Sequence, residues 1–213
     1  MVVPHRLRTA LRRTHPWHGP ERGLWRETTF AVIDVETTGL DLNRDEIVSV
    51  GVAIVEMGRI SSRSFYEVAR PSRPISESAM CVHSLTAEEL TAAPPFAEVL
   101  PRLRAQVVGS AIVAHAAWVE RAFLNRALQP LKERLPDRLV DTAAMARRLE
   151  IAQAGEREPS LEGLALQLRL PVHTPHHALG DAMTTAEVFI VLATRLERQL
   201  GALTVEELLG ISG

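Results

Sequence analysis

Apolar and polar positions change rhythm once along this chain. As far as Ala69, short apolar runs alternate with turn-forming links: Thr29–Val35, residues 46–55 (Glu46-Ile-Val-Ser-Val-Gly-Val-Ala-Ile-Val) and Arg63–Ala69. The tightest link is Met57-Gly58-Arg59, and the pattern predicts an antiparallel meander of three strands. From Pro74 onward helical spacing takes over, with helices predicted over Thr86–Leu90, Phe96–Val107, Trp118–Leu128 and Thr142–Leu149. Thr86 with Glu89 three residues later has the form of a capping box. Two further helices follow, one opened by Ser160 and running to Leu168, the other from about Leu179 to Leu200. Ala111–Ala114 and Leu139–Asp141 read as short buried strands between them. A meander followed by alternating strands and helices implies an α/β fold, a mixed sheet with helices on its faces.

Composition narrows the class without naming an activity. The 213 residues are 46% hydrophobic, enough for one sizeable core. Net charge is −2, so no global basic field announces nucleic acid, although a local rim remains compatible with it. Lys132 is the only lysine; arginine carries the rest of the positive charge. A single cysteine, Cys81, excludes an internal disulfide framework and a cysteine-rich zinc site. No apolar run approaches a membrane span of about 18 residues, and residues 1–26 lack a secretory apolar core. A cytoplasmic protein is therefore expected. Three divisions are predicted: an Arg- and His-rich arm (1–27), poorly ordered or loosely docked; a main domain (28–200); and a C-terminal tail (201–213).

Candidate chemistry sits where acids meet the ends of apolar elements. Side chains two apart on a strand share a face, so Asp34 and Glu36 stand side by side at the mouth of the first strand. Two carboxylates at a buried edge repel each other and resist desolvation, and a divalent cation with a preference for hard oxygen ligands relieves both. Asp181 heads the apolar stripe of the last long helix, and Glu120 heads that of the middle helix. Taken singly, each has an ordinary explanation as a turn cap or a partner of the helix dipole. Three elements each delivering an acid to the core edge point instead to a shared cation site. His176 precedes Asp181 by five residues and is a candidate proton acceptor, with His173 and His177 as neighbours that proximity alone does not separate from it.

These segments together resemble the DEDD family of 3′–5′ exonucleases, in its histidine-bearing branch. Asp34-Val-Glu36-Thr-Thr-Gly39 is similar to the family's first motif, Val113–Leu124 to its second and His176-His-Ala-Leu-Gly-Asp181 to its third. Val82–Thr86 matches the histidine-containing segment between the first two motifs, and Leu139–Thr142 and Ser160–Leu164 also fall where comparable segments occur. The resemblance runs from about Thr28 to Leu200. It implies an RNase H-like fold and phosphodiester hydrolysis with two Mg²⁺ or Mn²⁺ ions held by Asp34, Glu36, Asp181 and Glu120. His176 is then the general base. Thr37, Thr38, Gly39 and Leu40, with His83 and more weakly His115, hold the terminal nucleotide. The implied partners are single-stranded nucleic acid 3′ ends and either a polymerase or a second copy of the chain.

One departure qualifies the match. The family's second motif is usually His-Asn-Ala-x-Phe-Asp, and this chain has His115-Ala-Ala-Trp-Val-Glu120. Glutamate keeps the charge but reaches about 1.5 Å further, and a shift of that size can cost about a hundredfold in rate. An alternative is thus a weakened or non-catalytic subunit that binds nucleic-acid ends. Gln167-Leu-Arg-Leu-Pro-Val172 has the superficial form of a sliding-clamp-binding peptide, but its position between a helix and the His176 loop favours core leucines.

Overall fold

In the computed structural model the structure describes residues 17–73, 75, 83–151 and 158–212. Five strands form one sheet: β1 (Phe30–Thr37), β2 (Ile47–Glu56), β3 (Arg59–Val68), β4 (Ala111–Ala114) and β5 (Val140–Asp141). Their order is β3-β2-β1-β4-β5. The first three pair antiparallel, while β4 joins β1 and β5 joins β4 in parallel. Helices are α1 (Ala87–Ala92), α2 (Phe96–Val107), α3 (Trp118–Leu128), α4 (Thr142–Arg148), α5 (Leu161–Gln167), α6 (Ala178–Leu200) and α7 (Val205–Ile211). The α/β mixed sheet of the sequence reading is thus the observed architecture. The Thr86–Glu89 capping box at the head of α1 also forms as expected.

Both faces of the sheet are covered, which is why β1 is apolar nearly throughout. Phe30 and Val32 point into a core shared with α4, α5, α6 and α7. Ala31, Ile33 and Val35 point the other way, against α2 and α3. By the same alternation Asp34 and Glu36 continue the Phe30–Val32 row, on the α6 side. Directly opposite Asp34 on β2 is Gly51. A Cβ there would fall 2.2 Å from the carbonyl carbon of Ala178, so only glycine lets the first turn of α6 rest on the sheet. That contact brings the start of α6 against the end of β1.

The structure differs from the sequence reading at one strand and at both ends. β3 begins at Arg59, not Arg63, because Met57 (φ 51°) and Gly58 (φ 69°) form a two-residue left-handed turn and the ladder resumes at once with Glu56 opposite Arg59. Residues 1–16 of the expected arm lie outside the described residues, as does Cys81. From Trp17 on, however, two tryptophans anchor the chain, although most residues between them are exposed. Trp17 and Trp25 are each 1% exposed. Trp17 Nε1 donates to Glu133 (2.9 Å), and Trp25 Nε1 donates to Glu197 on α6 (3.0 Å). At the other end the expected tail forms α7, opened by a second capping box, Thr204 with Glu207. Its Val205, Leu208 and Leu209 close the bottom of the α6 core. No helix among the described residues is long and apolar enough to cross a membrane.

Candidate active site

Asp34, Glu36 and Asp181 converge at the mouth of β1. One carboxylate oxygen of each lies within 4.8 Å of the others, and all three residues are half-buried. Among the described residues none of the three pairs with an arginine or lysine; Glu36 faces only His83, whose Nδ1 is 3.3 Å from Oε2. His83 is 6% exposed, and neither ring nitrogen makes a directed hydrogen bond, so this is proximity rather than a formed bridge. Glu120, on the first turn of α3, is 5% exposed, and its Oε2 is buried with no hydrogen-bond partner.

The electrostatics follow from that crowding. Burial, then the charges of Glu120, Glu36 and Asp181, push the Asp34 carboxyl well above its ordinary range. Burial and Glu36 raise Asp181 to about 6, against the pull of the His176 N–H, which donates to Asp181 Oδ2 at 2.9 Å. Glu120 is raised to about 8, chiefly by burial and further by Asp141 and Glu36. Hard-oxygen donors this close, with Asp34 and Asp181 charged only at a cost and the neighbouring Glu120 Oε2 buried without a partner, fit a divalent cation site.

The family model described as an exonuclease matches residues 31–189. The chain belongs to the exonuclease family. This bears out the resemblance drawn from the motifs, and marks the protein as a hydrolase of nucleic-acid ends. Among curated relatives, the DNA polymerase III subunit epsilon of Treponema pallidum is 32% identical over 173 residues, 81% of this chain and 80% of the relative. An epsilon-like protein of Rhodobacter capsulatus is 34% identical across 79% of this chain, which spans only 24% of that longer protein. Exonuclease X, solved in complex with 5′ overhanging duplex DNA, superposes with a TM-score of 0.67 at 30% identity, covering 86% of this chain and 99% of that one. The nuclease domain of 3′hExo, a DEDDh member bound to rAMP, shares the fold at 16% identity and a TM-score of 0.69, covering 85% of this chain and 98% of its own.

Around the acids, the exonuclease holds its loops by specific bonds. Thr37 Oγ1 donates to the Gly39 carbonyl (2.7 Å) and Thr38 Oγ1 to Asp45 (2.8 Å), folding the turn that leaves Leu40 76% exposed. Of the three histidines near α6, two are occupied. His173 Nε2 lies 3.0 Å from Glu187. His177 is the α6 N-cap, its Nδ1 accepting from Gly180 N (3.3 Å), and its ring stacks on Tyr66 at 4.2 Å and 25°. His176 alone is largely exposed, its Nε2 being 3.8 Å from Glu162. Its backbone is left-handed (φ 58°), which turns its N–H onto Asp181.

His115 has a different place from the one the resemblance suggested. Its Nδ1 lies 2.8 Å from Thr142 Oγ1 and its Nε2 2.7 Å from the Pro159 carbonyl. Both nitrogens are spent inside the protein, leaving neither for a substrate. Asp141, in the sequence the end of a short strand and part of a family-like segment, does more: its Oδ1 accepts from Ala116 N (3.1 Å) and Ala143 N (2.9 Å). It thereby caps α4 and clamps the turn that launches α3. Ala116 is left-handed there (φ 51°), a conformation that the family's usual asparagine tolerates better. The strand followed by Asp-Thr-Ala-Ala is an N-cap signature that could have revealed this role.

His177→Ala removes both the cap and the Tyr66 stack. About 1–2 kcal/mol of stability should be lost, lowering the melting temperature by roughly 3–6 °C. A thermal melt in EDTA reads this directly, and an unchanged midpoint would mean the cap contributes nothing.

Proposed function

We propose that the chain is a divalent-metal-dependent 3′–5′ exonuclease acting on single-stranded DNA or RNA ends in the cytoplasm. The observation that carries this is the convergence of Asp34, Glu36 and Asp181 within 4.8 Å, from two elements 145 residues apart at their nearest members. The exonuclease family match and the epsilon-subunit relatives agree with it. Asp34, Glu36 and Asp181 would hold Mg²⁺ or Mn²⁺, with Glu120 behind them as the fourth carboxylate. When bound, two such ions supply charge stabilisation to the attacking water and the departing 3′-oxygen.

The chain's own residues do the rest. His176 takes the proton of the attacking water at a ring nitrogen, with Glu162 across from it to balance the imidazolium. Its N–H to Asp181 couples the position of the base to that of a metal ligand. The Thr37–Leu40 turn offers backbone groups and the exposed Leu40 side chain to the terminal nucleotide, and His83 lines the wall by Glu36. A polymerase or a second copy of the chain is the proposed macromolecular partner. The test is a 5′-labelled oligonucleotide with Mg²⁺ or Mn²⁺: stepwise shortening from the 3′ end is expected, and none with either ion would sink the reading.

His176→Ala should lower kcat by about a hundredfold, the lower range for loss of a general base. Manganese affinity, measured by titration calorimetry, should stay close to that of the parent because the carboxylates are untouched. A tenfold or greater loss of metal binding would instead make His176 a ligand.

Glu120 keeps a second reading in play, that of an end-binding accessory subunit. In that case Glu120→Asp changes turnover little, whereas a sharp rise identifies an active site slowed by one methylene.

A further inference from the structure

A cleft of about 530 Å³ lies against the same β1–β2 connection that bounds the acidic site, and its walls carry an excess of positive charge. Arg44, Arg70, Arg73 and Arg126 line it, and Glu46 is the one acid among the described lining residues. Glu46 is already engaged, accepting from the backbone N–H and the hydroxyl of Ser72. Among the described residues no carboxylate neutralises the arginines to match, beyond a marginal Arg44–Asp41 contact. Among the described residues the Arg126 guanidinium donates to the main-chain carbonyls of Leu42 and Asp45, and that of Arg70 to the carbonyl of Thr91 (3.2 Å). Arg44 is 3.9 Å from Asp41, a marginal contact between two exposed side chains, and Arg73 is exposed with no ion pair among the described residues. A second hollow of about 320 Å³ shares Arg70 and Arg73 and extends the groove toward Leu90.

The neighbouring Thr38–Glu46 segment ties this groove to the site. Thr38 N donates to the Glu46 carbonyl (2.9 Å), so the turn facing the terminal nucleotide and the wall of the cleft are one unit. Guanidinium groups left without carboxylate partners are fork-shaped donors suited to phosphate oxygens. Resting on the nuclease reading above, we propose that this arginine-lined cleft is a phosphate-binding groove that holds the substrate strand away from its 3′ end. The acids at the β1 mouth repel a polyanion, and the groove supplies the attraction that the chain's overall charge of −2 does not. A nucleic-acid backbone fits better than an acidic peptide because the adjoining site is built to act on phosphodiesters.

The test compares two double charge reversals, Arg44→Glu with Arg73→Glu in the cleft and Arg195→Glu with Arg198→Glu on the far half of α6. All four side chains are exposed, and both variants change net charge equally. Binding of a fluorescent oligothymidylate is followed by anisotropy in EDTA, so that the strand stays intact and turnover plays no part. The cleft variant should bind about tenfold or more weakly, and its plot of log affinity against log salt should flatten by about 1.4, at ~0.7 per lost single-strand phosphate contact. The α6 variant should remain within about twofold of the parent. Equal weakening in both variants, no weakening in the cleft variant, or a parent protein that ignores the strand yet binds polyglutamate would overturn the proposal. Turnover with Mg²⁺ or Mn²⁺, assayed separately on the parent, tells a failure of the groove from a failure of the nuclease reading.

Discussion

Asp181→Asn is expected to lower turnover by about 10³-fold or more while making the metal-free protein more stable. The first effect follows from removing one of three carboxylates that share a site within 4.8 Å. The second follows from the state of Asp181 itself. Its carboxyl is raised from 3.8 to about 6, chiefly by burial and then by Glu36. For an acid whose folded pKa is raised, the unfolded chain gives up its proton first. Stability therefore falls as pH climbs from about 4 to about 6, and the whole penalty persists above that window. Two units correspond to about 3 kcal/mol at most; partial solvent contact reduces this to roughly 1–2 kcal/mol. Asparagine carries no such charge. In EDTA at pH 7.5 or so the variant should melt roughly 3–6 °C above the parent, and at pH 4 the two should coincide. Adding Mn²⁺ should stabilise the parent more than the variant, because only the parent keeps the full ligand set. A variant that retains parental turnover would remove Asp181 from the catalytic site.

Much of this was legible in the chain because it depends on local rules. The two-residue repeat of a strand places Asp34 and Glu36 on one face without reference to any partner, and the structure keeps them on the α6 side. Capping by Thr86 and Glu89 is likewise a matter of three residues. The matching Thr204–Glu207 box is equally local, although the sequence reading expects only a tail there. What escaped depends on contacts across the sheet. Nothing near Gly51 in sequence says that Ala178 will lie on it, yet this contact sets the distance between Asp34 and Asp181. The Tyr66–His177 stack and the Asp141 clamp on Ala116 are of the same kind, joining elements far apart in the chain. His115 shows the opposite error. A polar residue in a family motif invites a functional role, whereas burial and two inward bonds give it a structural one. The clamp-like peptide is likewise engaged within the fold: Leu168 and Leu170 are partly buried against the α6 core, and Gln167 donates to the Ile151 carbonyl (2.7 Å).

Glu120→Gln should have the largest effect on stability. Glu120 is 5% exposed, and its Oε2 has no partner. Burial above all, then Asp141 and Glu36, raise its carboxyl from 4.5 to about 8. The sign is that of Asp181, with a wider window: stability contributed at low pH is lost progressively between about 4.5 and about 8. At pH 7 the group stays largely protonated in the fold but is ionised in the unfolded chain, a penalty on the order of 3 kcal/mol. Glutamine matches the shape and never ionises, so the metal-free variant should melt about 6–12 °C above the parent at pH 7. At pH 4 the gap should close. Divalent cation reverses the comparison if the buried oxygen is a ligand: Mn²⁺ should raise the midpoint of the parent several degrees more than that of the variant, and turnover of the variant should fall by about 10–100-fold. A variant with higher metal-free stability and undiminished turnover would place Glu120 outside the metal site, as a buried acid whose only effect is to strain it.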